Sequence, residues 1–284
     1  MKTASASRSS CFWEGATIME REKEKNVSTS IKDKIVFVTG ASAGIGAATA
    51  MEFARHGAKL VLAARRLERL QAMEAELRDA GAADLLLLEM DVRDREAVER
   101  TLGDLPEAWG AIDVLVNNAG LSRGLTKLYE DDVENWEEMI DTNVKGLLYV
   151  TRAIVPGMVE RNRGHVINLG SIAGHMAYAN GGVYCATKAA ERFISDGLRI
   201  DVNGTAVRVT SVDPGMVETD FSKIRFRGDE ARAAKTYQNV DPLQAEDIAD
   251  AIVWAATRPA HVSIQSIVLT PTAQANPFVL TRKS

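Results

Sequence analysis

The chain has little of what marks a metal centre, a disulfide scaffold, a nucleic-acid binder or a membrane protein. Two cysteines occur in 284 residues, Cys11 and Cys185. So few, so far apart, they show no metal-ligand spacing and build no disulfide framework. Two free thiols in a reducing, cytoplasmic setting is the simplest reading. His56, His165, His175 and His261 are too scattered to suggest a zinc site. Basic charge is not in excess. The formal net charge is −5, which favours solubility and gives no electrostatic case for nucleic acid. No run is long and apolar enough to span a bilayer. The first thirty residues lack the apolar core of a signal peptide. They are rich in Ser, Thr and charge, with a run from Glu20 to Lys25, and read as a disordered N-terminal extension, 1–30. Met19 is an alternative start within it.

What is present is a regular alternation. Ile35 to Val38, Leu60 to Ala64, Leu85 to Leu88, Ile112 to Val116, Val166 to Leu169, Val207 to Val212 and Ile267 to Leu269 are short apolar runs of strand length. Helical spacing separates many of them. It runs through Phe53, over Leu67 to Ala80 with Gly81 as its stop, Trp136 to Met158, Tyr184 to Ile200, and Ala245 to Ala256. Strands alternating with amphipathic helices predict an α/β fold. The expected architecture is one Rossmann-like, doubly wound parallel sheet of about seven strands, helices on both faces, in a single domain over 31–284.

The polar clusters fall where the strands end. Thr39 to Gly46 joins the first strand to the first helix, with Gly40, Ser42, Gly44, Ile45 and Gly46 in the turn. Glycines let the backbone approach a dinucleotide pyrophosphate, and a helix N-terminus supplies free N–H groups and positive dipole. The spacing is G-x-x-x-G-x-G, which a structural tight turn would also explain. Ala64-Arg65-Arg66 closes the second strand. An acid there would suit the ribose hydroxyl of NAD, whereas two guanidiniums suit the 2′-phosphate of NADP. The competing reading is a solvated basic pair at a helix start. Asp91 and Val92 end the third strand, where the adenine should lie. Asn118 follows the fourth. In an open parallel sheet, ligands bind beyond the carboxyl ends of the strands.

Ser171 follows the fifth strand, and Tyr184 and Lys188 open the next helix, four residues apart on one face. A free tyrosine, with a pKa of about 10, is a poor base at neutral pH. An adjacent ammonium favours the phenolate, so that Tyr184 can exchange a proton with an alcohol while Ser171 hydrogen-bonds its oxygen. A Tyr-x-x-x-Lys pair alone is weak evidence; its place after Ser171 gives it weight.

These motifs together resemble the short-chain dehydrogenase/reductase family from Lys34 to the C-terminus. They are TGASAGIG at 39–46, NNAG at 117–120, NVKG at 143–146, GSIAG at 170–174, YCATK at 184–188 and PGMVET at 214–219. The resemblance implies a catalytic set of Asn143, Ser171, Tyr184 and Lys188. Asn143 would hold a helix kink and a water relaying protons through Lys188. Pro214, Gly215, Val217 and Thr219 would line the nicotinamide carboxamide, and Tyr184 and Lys188 would also touch the cofactor. Segments 105–124, 136–171, 224–239 and 258–274 are similar to a subgroup of NADP-dependent serine and 3-hydroxy-acid dehydrogenases. These act on serine, allo-threonine and 3-hydroxyisobutyrate and reduce malonic semialdehyde. A broad ketone or aldehyde reductase, or a sulfoacetaldehyde-type reductase, on the same scaffold is the nearest alternative. A non-catalytic NADP-binding sensor is a remote one.

Two further expectations concern partners. Lys223, Arg225 and Arg227 follow the sixth strand, where a lid should lie. One of them, Arg225 first, would hold a substrate acid group beside Ser171 and Tyr184; a solvated lid surface is the alternative. His175 is a weaker candidate. Leu147, Leu148, Val183, Phe193 and Ile194 extend the apolar surface of two long helices beyond a core stripe, which suggests a homo-oligomer, a tetramer by family resemblance.

Overall fold

The computed structural model describes residues 29–283, so most of the expected N-terminal extension, Met19 and Cys11 lie outside the described residues. Seven strands form one sheet: β1 (Ile35–Thr39), β2 (Lys59–Ala64), β3 (Asp84–Glu89), β4 (Val114–Asn117), β5 (Gly164–Leu169), β6 (Val207–Pro214) and β7 (Ser266–Leu269). Their order is β3-β2-β1-β4-β5-β6-β7, and every pairing is parallel. The order reverses between β1 and β4, which opens a crevice at the carboxyl ends of the strands.

Why these residues become parallel strands follows from their burial. Ile35 to Thr39 is buried at every position. Val36 and Val38 pack into one core, Ile35 and Phe37 into the other, as the two-residue period of a strand requires. The first core is closed by α1 (Gly44–Arg55), α2 (Leu67–Ala80) and α9 (Ala245–Ala256). The second lies beneath α3 (Arg95–Gly103), α5 (Leu147–Glu160) and α6 (Gly182–Asp201). Gly81 ends α2 with φ +114°, a left-handed conformation that a Cβ disfavours.

The structure departs from expectation in three places. The helix expected over Trp136 to Met158 is α4 (Val133–Ile140) and α5, joined by a π turn at Asp141–Gly146. A π turn inserts an extra residue into the helical ladder, and such turns gather at functional sites. The short α3, α7 (Phe221–Arg225) and α8 (Glu230–Tyr237) were not anticipated. They bury little: one side chain each of Val98, Ser222 and Ala233. Leu147 is buried rather than part of an outer apolar face, whereas Leu148 and Phe193 are exposed, as is Ile200. No helix among the described residues is long and apolar enough to cross a membrane.

Candidate active site

A cleft of about 480 Å³ lies across the carboxyl ends of the strands. It brings the loops after β1, β2, β3, β4, β5 and β6 to one place, with Ser171, Tyr184, Lys188 and Arg225 among its walls. Of the residues expected to meet a dinucleotide, all but Gly46 face it.

At one end is the glycine-rich turn. Gly40 and Gly44 have φ of +64° and +53°, which only glycine adopts freely. Gly46 sits just behind the turn. A Cβ there would collide with Asn118 Nδ2 and the Gly40 carbonyl oxygen. Asn118 Nδ2 donates to the Thr39 and Gly40 carbonyl oxygens at 2.8 and 3.1 Å. The β4 loop thereby fixes the shape of the β1 loop. No side chain caps the N-terminus of α1, so its dipole and N–H groups are available to an anion at Ser42 to Ile45. This cradle fits a pyrophosphate. Arg65 and Arg66 stand at the next strand end on the same wall. Burial, and after it the charges of Arg69 and Arg65, lower the Arg66 pKa from its ordinary value, and an anion bound there would oppose that shift. Asp91 is engaged by Arg93, Nη2 to Oδ2 at 2.6 Å. Burial works against its charge, but the Arg93 hydrogen bonds and charge outweigh this and hold the carboxyl below its ordinary value.

At the other end, α6 presents Tyr184, Lys188, Glu191 and Ser195 along its buried face, at the i, i+4, i+7 and i+11 positions. Tyr184 packs against Phe221, ring centroids 5.8 Å apart. Lys188 Nζ donates to the Leu169 carbonyl oxygen at 2.6 Å and to Glu191 Oε2 at 2.8 Å. Burial works against the Lys188 ammonium, but the Glu191 carboxylate, with Tyr184 and Asp213, outweighs it and the Lys188 pKa stands above its ordinary value. Burial in turn pushes Glu191 up to about 7, despite the ammonium beside it. Ser171 Oγ accepts from Ala173 N at 3.1 Å, which caps the short turn beyond β5 and fixes the hydroxyl at the cleft wall.

Asn143 lies in the π turn and is buried. Its Oδ1 accepts from Leu121 N, and its Nδ2 donates to the Leu121 carbonyl oxygen, both at 2.8 Å. Nδ2 also donates to Thr187 Oγ1 at 3.0 Å, on the helix of Tyr184 and Lys188. Asn143 thus ties the loop after β4 to α6, and it does so from behind the cleft wall. After β6, Gly215 meets Gln274: a Cβ would collide with Gln274 Oε1, which accepts from Met216 N at 2.8 Å. This pins Pro214 to Thr219 against the C-terminal segment.

The structure separates the three lid cations. Arg225 faces the cleft beside Tyr184, its guanidinium carbon 5.3 Å from the Tyr184 ring centroid. Arg225 Nε donates to Ser122 Oγ and Nη2 to Tyr178 Oη, each at 3.1 Å. Arg227 turns to Asn135 and Glu138, and Lys223 to Asp220 and Glu230. His175 does not face the cleft. Its Nε2 donates to the buried Asp213 Oδ2 at 2.8 Å. Cys185 is buried and free, its thiol pushed up by burial.

Sequence reasoning missed several residues here. Tyr178 and Ser122 orient Arg225, and Gln274 reaches back from far along the chain. Nothing local points to any of them. Glu191 did leave a trace, as an acid three residues after Lys188, but that pattern reads as an ordinary solvated helix pair.

The comparisons agree with this geometry. The model of the short chain dehydrogenase family matches residues 34–230, and the chain belongs to that family. It is 53% identical over 241 residues to the NADP-dependent 3-hydroxy acid dehydrogenase YdfG of Salmonella typhi, covering 84% of this chain and 96% of that one. It is 44% identical to the serine 3-dehydrogenase of Rhizobium radiobacter, covering 84% and 94%. The solved closed form of serine dehydrogenase complexed with NADP+ superposes with a TM-score of 0.82 at 49% identity, covering 88% of this chain and all of that one.

Proposed function

We propose that the protein is an NADP-dependent oxidoreductase interconverting a small 3-hydroxy acid and its 3-oxo or semialdehyde form. One observation carries the reading. A single cleft holds a glycine cradle and an arginine pair at one end, and at the other a serine, a buried tyrosine–lysine pair and a guanidinium. Relatives named for 3-hydroxy acids and serine, at 44–53% identity, support the substrate class.

The roles follow from the geometry. Ser42 to Ile45 at the head of α1 hold the pyrophosphate, while Arg65 and Arg66 take the 2′-phosphate. Asp91 and Val92 border the adenine. Asn118 keeps the cradle in shape, and Pro214, Gly215, Val217 and Thr219 face the nicotinamide end. When bound, NADP accepts or supplies the hydride. Ser171 Oγ donates to the substrate oxygen. Tyr184, as the phenolate, takes the alcohol proton during oxidation and, as the phenol, gives it to the carbonyl oxygen during reduction. Lys188 keeps a positive charge beside it. Asn143 acts from behind, holding the π turn against α6. Arg225, already oriented by Ser122 and Tyr178, binds the substrate carboxylate and so decides which carbon faces the cofactor. Residues 31–284 act as one domain.

Exposed Leu148, Phe193 and Ile200 on α5 and α6 support a homo-oligomer, and the buried free thiol of Cys185 accords with a reducing cytoplasm. NADPH oxidation should be assayed with a panel of short 3-oxo acids and semialdehydes beside simple ketones, on wild type and Tyr184→Phe. The acids should be preferred, and Tyr184→Phe should lose roughly 10²–10⁴-fold in turnover while binding NADPH normally. A Tyr184→Phe rate above about a tenth of wild type would remove that tyrosine from the mechanism. A preference for uncharged ketones would make the protein a general carbonyl reductase instead.

A further inference from the structure

Behind the cleft, α6 carries a carboxylate with no part in the reading above. Glu191 is 2% exposed and lies three residues beyond Lys188. It does not line the cleft. Its Oε2 accepts from Lys188 Nζ at 2.8 Å, and its Oε1 is buried with no hydrogen-bond partner among the described residues. A buried carboxylate with half its acceptor capacity unfilled is a poor stability device. Well-packed apolar side chains often serve as well as a buried ion pair. Among the described residues its only direct polar side-chain contact is the lysine that stands beside Tyr184.

We propose that Glu191 is a positioning residue: through its ion pair with Lys188 it fixes the ammonium beneath Tyr184 and sets the pH range over which the pair works. This rests on the roles given to Tyr184 and Lys188 above. An ammonium has three N–H donors. The Leu169 carbonyl and Glu191 take two, so the third is the one left for the cleft side. Loss of Glu191 leaves the Leu169 carbonyl as the remaining hydrogen bond on Nζ among the described residues, at the end of a flexible stem.

The charge matters as much as the bond. The charged or titratable groups around Glu191 are Lys188 and Tyr184 on its own helix and Asp213 on β6, with His175 beyond Asp213. Asp213 is already engaged by Ser211, Ser266 and His175. That leaves Glu191 as the carboxylate in contact with the ammonium. With Glu191 ionised and Lys188 protonated, the contact pair carries no net charge. A carboxylate raises the pKa of every acid close to it. Removing its charge should therefore displace both limbs of a pH–rate profile in the same direction, toward lower pH.

The test is the pH profile of kcat/KM for oxidation with NADP+. A 3-hydroxy acid without an amine, such as 3-hydroxyisobutyrate, keeps the substrate from titrating in the range. Glu191→Gln keeps the size and an acceptor but not the charge, and both limbs should move down by roughly one pH unit, the scale of a neighbouring charge. Glu191→Asp keeps the charge, and its limbs should stay near wild type with a lower rate. NADPH fluorescence titration and thermal melts check that each variant is folded. A Glu191→Gln profile that superimposes on wild type, or is lowered equally at every pH, overturns the proposal. Should Glu191→Gln not fold, Glu191→Met gives the same reading; if neither folds, Glu191 serves stability and the proposal fails. Tyr184→Phe is the parallel control. If it stays active the mechanism itself falls; if it is inactive while Glu191→Gln is unshifted, only this inference falls.

Discussion

Replacing Arg225 by methionine should convert a hydroxy-acid enzyme into one nearly indifferent to the acid group. The guanidinium has five N–H donors. Two are engaged, by Ser122 Oγ and Tyr178 Oη. Burial pushes the Tyr178 phenol far up, so it stays protonated and keeps its place as a neutral support. Three donors are left on a fork whose carbon lies 5.3 Å from the Tyr184 ring centroid and 5.1 Å from that of Phe221. A hydrogen bond to a charged group contributes about 1.5–3 kcal/mol, or roughly 10- to 150-fold in kcat/KM at about 1.4 kcal/mol per tenfold. The variant also loses the cation–π contact with the two rings, about 0.5–1 kcal/mol. That second loss acts on every substrate alike, so the ratio between substrates is the informative quantity. Measured as kcat/KM with NADP+, oxidation of 3-hydroxyisobutyrate should fall at least about tenfold more than oxidation of an uncharged alcohol of the same carbon skeleton. Arg225→Lys should be intermediate, since it keeps the charge but not the fork. An unchanged ratio would show that Arg225 is structural and that the carboxylate is held elsewhere.

Three more outcomes are expected. Arg65→Ala with Arg66→Ala should weaken NADPH binding and hardly touch NADH, because only the 2′-phosphate contact is lost; equal effects in a fluorescence titration would refute the clamp. Gly46→Ala places a methyl group against Asn118 Nδ2 and the Gly40 carbonyl oxygen, so it should weaken both cofactors together, whereas unaltered affinity would show that the cradle gives way freely. His165 is buried and held neutral, its pKa lowered well below 6.5 by burial and by the charge of Arg208. The unfolded chain takes up this proton first, so stability is fully present above about pH 6.5 and declines as pH falls toward the folded-state value. The slope from this one group is up to about 1.4 kcal/mol per pH unit, and urea midpoints of His165→Gln should decline less steeply over that window; parallel slopes would exclude His165 as the cause.

The sheet was legible in the sequence because a parallel strand buried on both faces must be a continuous apolar run, as Ile35 to Val38 and Leu60 to Ala64 are. The glycine turn and the Tyr184–Lys188 pair were legible for a similar local reason. A positive φ at Gly40 and Gly44, and one helical turn between Tyr184 and Lys188, are properties of a few adjacent residues. What escaped depends on distant neighbours. Helices α3, α7 and α8 bury one side chain each, too few for a period to show. The π turn at Asp141–Gly146 breaks what reads as one helix, and Asn143 sits there because Leu121 and Thr187, from other elements, supply its hydrogen bonds. Lys223, Arg225 and Arg227 are three close cations in sequence, with only a slight preference for Arg225. Only packing turns Arg225 toward Tyr184, by offering it Ser122 and Tyr178, and turns Arg227 away to Asn135. Glu191 makes the same point about environment. Three residues from a lysine on an exposed helix it would be an ordinary solvated pair. Burying that face of α6 removes the screening water, and the same two residues become a strongly coupled charge pair next to Tyr184.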